Sequence, residues 1–417
     1  MILSPVNSIS VPITNSLGSS GEVKNSTRDN IISIKNSHNE INPILFPKPP
    51  ADSSIYKLSN TTYSLPTDLS PKTRIVDNRL LSRRKINHVD MSKLNLSRSN
   101  EEVKLHNERE NFLVAVKKCT GTDKYNEKAE QLFNNLNGLK YSSADYQSVE
   151  NSRYSQELTY RTDTLIKSGD VSLPANNVSS YNSSNITIAS QYPLNNKESL
   201  KNYFNMLFDN NINTVYILAS NDDIKKDLSK PGGEYNKSDF EKEGFKYFRE
   251  DLNLDDINSS HIEKWFLSKK NGACLDCKTY TKLVTKENSN ENRIIKFVHI
   301  YDWADHTGID AKKLKNTINV IGDKLKINPT KENIAVHCLA GLGRTGEFIA
   351  LMEMMKAEQS GNKEGKSLES IISYLREKRS VRALYQPEQI AELLKYAINN
   401  NIPLLNDDIK IKQHLFK

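Results

Sequence analysis

Apolar positions follow no period over the first hundred or so residues of this chain, then fall into short runs whose spacing marks helices and strands. Glu101 to Lys118 carries Val103, Leu105, Phe112, Leu113 and Val116 on a loosely helical stripe, and Asn126 to Leu139 predicts a second helix. β-prone runs come next at Ile186–Ala189 and Val215–Ala219, with a helical stretch, Ser199 to Asn210, between them. Lys282–Val284, Ile294–Ile300 and Ile334–Val336 read as further strands, and helical patterns lie at 310–325, 346–359, 367–378 and 387–399. Alternation of this kind predicts one α/β or α+β domain around a central sheet, and no internal repeat is visible.

Residues 1–99 differ in texture. They are rich in Ser, Asn, Thr and Pro, too polar to bury enough apolar surface to offset the entropy of ordering, so disorder or partner-dependent order is expected there. Pro47-Lys48-Pro49-Pro50 fits a polyproline pattern and reads as a linker. The expected division is therefore 1–99 and a folded domain over 100–417. Of the formal charge of +7, +6 sits in residues 1–99, where 13 Lys and Arg face 7 Asp and Glu. The short cluster Arg79–Lys85 lacks interleaved aromatics and a reading motif, so nucleic acid is not an expected partner.

No run approaches the roughly 18–20 apolar residues needed to span a bilayer, and Met1–Ser10 lacks the cationic start and apolar core of a Sec-type signal. Membrane insertion is not expected. Four cysteines (Cys119, Cys274, Cys277, Cys338) are too few for a disulfide framework, and Cys274-x-x-Cys277 without a second pair reads as two ordinary thiols rather than a zinc site.

The chemistry concentrates in His337-Cys338-Leu339-Ala340-Gly341-Leu342-Gly343-Arg344-Thr345-Gly346. An apolar strand precedes it and the helix-prone run Phe348–Met355 follows, so the decapeptide is a strand-to-helix turn. At such a turn the backbone N–H groups and the helix dipole point at an anion. Gly341 and Gly343 permit the tight curl. The amides stabilise a thiolate at Cys338, which makes it a nucleophile, and Arg344 presents a planar fork matched to two phosphoryl oxygens.

This decapeptide resembles the signature loop of the cysteine-dependent protein tyrosine phosphatases. The resemblance implies an α/β (α+β type) fold with a twisted mixed central sheet flanked by helices. It implies hydrolysis of phosphotyrosine through a phosphocysteine, with no metal or other cofactor, Leu339 to Gly343 holding the phosphate. Tyr301-Asp302-Trp303-Ala304-Asp305-His306 is similar to the mobile acid loop of that family, with Ala304 in place of proline. By that match Trp303 is the hinge and Asp305 the general acid, later the base for water, while Asp302 is the competing carboxylate. His337 is implied to bond loop backbone from a buried position. Thr345 is implied to bond the cysteine sulfur and aid breakdown of the intermediate, a role compatible with capping the helix.

Asn151-Ser152-Arg153-Tyr154 resembles the family's Asn-Arg-Tyr element, which makes Tyr154 the ring that stacks on the substrate. Gln156 stands where many relatives carry an Asp. Leu173–Val178 and Thr187–Leu194 resemble two further strands, and the second is similar to the type III secreted tyrosine phosphatases of Gram-negative pathogens. In Tyr385-Gln386-Pro387-Glu388-Gln389 the resemblance implies Gln386 as the water-positioning residue with Gln389 as helper, whereas an ungapped match to the secreted enzymes puts Tyr385 at the first glutamine position and Gln389 at the second. The resemblance spans about 100–405. It implies a virulence effector secreted by a bacterium into host cytoplasm, phosphotyrosine proteins as partners, and a secretion chaperone docking on 1–99. The alternatives are a dual-specificity phosphatase, which uses the same loop, and a phosphotyrosine-binding pseudophosphatase.

Overall fold

The computed structural model describes residues 91–409 apart from 151, 155–156, 182, 229–244 and 269–271, with side chains from residue 100 onward except at 226–228. The expected disorder up to 90, the proline segment, Asn151 and Gln156 lie outside the described residues. In chain order the helices are α1 (Met91–Thr120), α2 (Asn126–Asn137), α3 (Lys197–Asp209), α4 (Asn221–Leu228), α5 (Ala311–Leu325), α6 (Gly343–Gln359), α7 (Leu368–Lys378) and α8 (Pro387–Asn399). The strands are β1 (Tyr146–Gln147), β2 (Tyr160–Arg161), β3 (Leu165–Ser168), β4 (Val171–Asn177), β5 (Thr187–Ser190), β6 (Thr214–Ile217), β7 (Leu252–Leu254), β8 (Ile257–Leu267), β9 (Cys277–Lys286), β10 (Glu291–Ile300) and β11 (Ile334–His337).

Nine strands form one mixed sheet in the order β3-β4-β5-β11-β6-β10-β9-β8-β7, and β1 pairs β2 separately. The four middle strands are parallel, with β11 between β5 and β6 and β10 beyond β6. All four residues of β5, β6 and β11 are buried, as strands covered on both faces must be. Successive side chains on them enter opposite cores. Ile334, Val336 and Cys338 join the core lined by α5 to α8, whereas Ala335 joins the one under α3. The loop after β11 therefore leaves an interior strand of the sheet, at its carboxyl end, where open α/β sheets bind ligands.

Most predicted elements form within a few residues of the expected bounds. Two differences have physical causes. Helix α4 and strands β7 and β8 went unseen: Asn221–Leu228 has no continuous apolar face, and in β8 only Ile257 and Ser259 are buried. The stripe on α1 is real only in its later turns. Phe112, Ala115 and Val116 are buried against the rest of the core, while Val103 and Leu105 remain exposed. Helix α1 also begins by Met91, so it runs straight through the composition break near residue 100.

Candidate active site

The turn from β11 into α6 is shaped by one glycine and one arginine. Gly341 has φ +72°, and a Cβ there would lie 2.0 Å from the Ser190 carbonyl oxygen, so no other residue fits. Arg379 is buried beneath the turn, its Nε donating to Gly341 O (3.2 Å), its Nη1 to Asn176 Oδ1 (2.7 Å) and its Nη2 to Pro174 O (3.2 Å). Burial pushes its pKa down to about 10, still charged at neutral pH. The Leu339 carbonyl accepts from Tyr192 N at 3.0 Å. Leu342 packs with Val149, Leu158 and Tyr160, and Ala340 lies against that cluster.

Cys338 is buried at the mouth of this turn, with Gly341 N donating to its Sγ at 3.3 Å. His337 points the other way, into an aromatic nest of Tyr192, Tyr203 and Tyr247. Its Nδ1 lies 3.1 Å from Cys338 O and must donate, so its Nε2 accepts from the Tyr247 hydroxyl at 2.8 Å. Burial depresses its pKa to about 3, which keeps the ring neutral. It holds backbone and cannot reach the sulfur's substrate side.

Arg344 is 1% exposed and charged. Burial opposes that charge, but Cys338, Asp305 and Asp223 outweigh it and hold its pKa above the ordinary value. Its Nη1 donates to Asp223 Oδ2 (2.5 Å) and to Trp303 O (3.0 Å). Its Nη2 lies 2.9 Å from Asp305 Oδ1, an ion pair that is not aligned as a hydrogen bond. Both Nη2 and Nε thus lack a hydrogen-bond acceptor among the described residues. Two buried guanidinium donors left open beside a cysteine can take two oxygens of one anion.

Asp223 was missed in the sequence. It sits at the start of α4, where its carboxylate accepts from Ser220 N (2.9 Å) and Ser220 Oγ accepts from its N–H (3.1 Å). Burial would raise its pKa, yet Arg344 and Ser220 hold it below the usual carboxylate value. The signal was there: a capping pattern, Ser220 to Asp223, directly after a β-prone run. What it could not show is that β6 neighbours β11, which brings α4 beside the loop.

The segment 301–310 after β10 places Asp305 on Arg344. Trp303 is fully buried, and its Nε1 donates to Thr307 O at 3.1 Å. The root of this loop is held by Glu347, whose Oε1 accepts from Ile309 N at 3.0 Å, and by the Asp310 cap of α5. Burial pushes the Glu347 carboxyl well above the usual range.

Tyr154 is half-buried and bridges two cores. Burial raises its pKa to about 12, Arg153 opposes this, and Cys338 and Asp305 are near enough to add to it. Thr345 differs from expectation. Its Oγ1 is buried without a hydrogen-bond partner among the described residues, so it bonds neither the cysteine sulfur nor the helix, and the helix cap is Leu342 with no side-chain bond. The two glutamines also divide differently. Gln386 Nε2 turns to His306 Nδ1 (3.3 Å), whereas Gln389 is buried, donates to Thr307 O (3.4 Å) and leaves its Oε1 unpartnered. Gln389 is also the side chain that meets Gly343, whose Cβ would lie 2.7 Å from its Nε2.

Against known proteins, a family model described as protein-tyrosine phosphatase matches residues 148–397. The chain is 26% identical over 239 residues to tyrosine-protein phosphatase YopH of Yersinia pseudotuberculosis serotype I, covering 53% of this chain and 45% of that protein. It is 40% identical over 91 residues to receptor-type tyrosine-protein phosphatase alpha of Mus musculus, covering 20% and 11%. The chain thus spans less than half the length of these relatives. The crystal structure of the catalytic domain of human protein tyrosine phosphatase non-receptor type 18 aligns with a TM-score of 0.46 and 18% identity, covering 60% of this chain and 84% of that one.

Proposed function

The chain belongs to the protein-tyrosine phosphatase family, and from that membership we propose that it hydrolyses phosphotyrosine on proteins through a phosphocysteine intermediate. The observation that carries this reading is the buried Arg344, whose Nε and Nη2 have no hydrogen-bond acceptor among the described residues, on the loop whose amide also meets Cys338 Sγ. Cys338 Sγ attacks phosphorus, forming the S–P bond as the P–O bond to tyrosine breaks. The 339–344 backbone and Arg344 stabilise the equatorial oxygens, and Asp305 gives its proton to the departing phenol oxygen. Water then attacks phosphorus and yields its proton to the Asp305 carboxylate. The S–P bond breaks, and phosphate and thiolate are released. The buried, unpartnered Oε1 favours Gln389 over Gln386 for orienting that water. No cofactor enters these steps.

Tyr154 forms one wall of the cleft and would stack on the substrate ring, giving a depth that phosphoserine cannot span. Asp223 fixes the side of Arg344 away from the substrate. The same reading takes residues 100–417 as the catalytic unit and 1–99 as a secretion and chaperone-docking region of a bacterial effector, with host phosphoproteins as substrates. Its support is the resemblance of Thr187–Leu194 to secreted phosphatases and the polar composition of 1–99. Failure of a reporter fused to 1–99 to leave the bacterium would remove that part alone.

The test of the chemistry is phosphate release from matched phosphotyrosine, phosphothreonine and phosphoinositide substrates. Phosphotyrosine is expected to be preferred, and Cys338→Ser to abolish turnover while phosphopeptide binding remains. Asp305→Ala should lower kcat by about 10²–10⁴, much less with a leaving group that needs no proton. Equal turnover of phosphothreonine would move the protein to the dual-specificity class. The Asp305 pattern appearing in Asp302→Ala would reassign the acid.

A further inference from the structure

The acid loop is docked on the N-terminal end of α8, and one side chain makes most of the polar junction. His306 follows Asp305 and adopts φ +57°, a left-handed conformation that non-glycine residues rarely take without a local reason. Its Nδ1 lies 2.6 Å from Tyr385 Oη and 3.3 Å from Gln386 Nε2, and its Nε2 lies 3.3 Å from Asp305 Oδ2. The Tyr385 ring meets the imidazole edge-on, with centroids 5.9 Å apart. Beside it the two backbones touch: a Cβ on Gly308 would lie 2.5 Å from Glu388 O.

These contacts assign the tautomer. The single lone pair of Nδ1 accepts from the Tyr385 hydroxyl at 2.6 Å, with the Gln386 amide nitrogen at the margin at 3.3 Å, so the neutral ring carries its proton on Nε2. Nε2 lies 3.3 Å from Asp305 in an ion-pair contact that is not aligned as a hydrogen bond, and the other Asp305 oxygen faces Arg344. One imidazole therefore joins the candidate acid to the segment that carries both candidate glutamines.

We propose that His306 is a positioning residue, the latch that holds the acid loop closed on Tyr385 and Gln386 and sets Asp305 at the phosphate cradle. The proposal rests on the phosphatase reading with Asp305 as the acid. It gives a reason for the left-handed backbone at a bulky residue, because in that conformation Nδ1 bonds Tyr385 while Nε2 lies beside Asp305. It also explains why Gln386 is turned from the cradle, leaving Gln389 for water.

The test separates the ring from the backbone. His306→Gly removes the imidazole and relieves the φ constraint. If the ring is the latch, kcat for a small aryl phosphate falls roughly 2- to 13-fold, the effect of a net hydrogen bond on a barrier, while KM changes little. Amides of 303–308 in the full chain should then exchange faster. Wild-type kcat and exchange in His306→Gly would overturn the latch, since a residue needed only for its turn is served best by glycine. Tyr385→Phe removes the hydroxyl donor, and a double-mutant cycle with His306→Gly should be non-additive in the exchange rate. Additivity would overturn the link to Tyr385. A wild-type protein without Cys338-dependent turnover would defeat the phosphatase reading, and the exchange measurements would still decide the latch.

Discussion

At the residue scale, the site is built from side chains that are costly to bury and are held because something faces them. Arg344 is balanced by Asp223 and Asp305, and Arg379 by carbonyl oxygens and the Tyr160 ring at 4.6 Å. Glu347 is the exception: one oxygen accepts from Ile309 N and the other has no hydrogen-bond partner among the described residues. Burial raises its pKa in the fold well above the ordinary 4.5 at which it ionises in the unfolded chain. Its folded pKa is raised, so its contribution to stability is full below 4.5 and is lost as pH rises. Glu347→Gln keeps the acceptor for Ile309 and removes the ionisation. It should raise Tm at pH 7–8 and leave it unchanged near pH 4, which thermal unfolding at the two pH values would check. A Gln variant less stable at both would show that the carboxyl is bonded as an acid.

At the scale of elements, the turn between β11 and α6 depends on register. β11 pairs β5 with His337 opposite Ser190, and this pairing brings the Ser190 carbonyl onto Gly341. The clash at 2.0 Å is with backbone, which cannot rotate away, and φ +72° adds strain for any side chain. Gly341→Ala should therefore open the loop, abolish turnover and lower Tm. Gly272, also at positive φ but with nothing within 4 Å, is the control, and its alanine variant should keep activity. Equal behaviour of the two variants would mean that the strand pairing yields instead of the loop.

At the scale of the whole molecule, the family match begins at residue 148, yet the core does not. Phe112, Val116, Ala129 and Leu132 from α1 and α2 are buried in the same core as Trp303 and residues of α6 to α8. Phe112, Val116 and Leu132 each contribute about 1.5–3 kcal/mol, against a total stability of about 5–15 kcal/mol for a domain. A fragment of 148–417 should be insoluble or melt far below the full chain. A fragment of 100–417, which keeps all four, should unfold cooperatively and retain activity. Equal melting of the two fragments would make the helical pair an appendage.

The decapeptide 337–346, its strand and its helix were legible in the sequence because that chemistry is local: a tight turn, an anion-binding backbone and a nucleophile need neighbouring residues. The helices near residues 126, 199, 310, 346, 367 and 387 were legible for a similar reason, since their apolar spacing repeats within one element. Asp223, Arg379 and Glu347 were not, and neither was the unpaired Thr345 hydroxyl. Their places depend on strand order, because Asp223 meets Arg344 across 121 residues and Arg379 meets Gly341 across 38. A local pattern shows which residues can bond. Only the packed sheet, with β11 between β5 and β6, determines which of them stand within hydrogen-bond reach of each other, because a buried charge is tolerated only where its partner is brought to it.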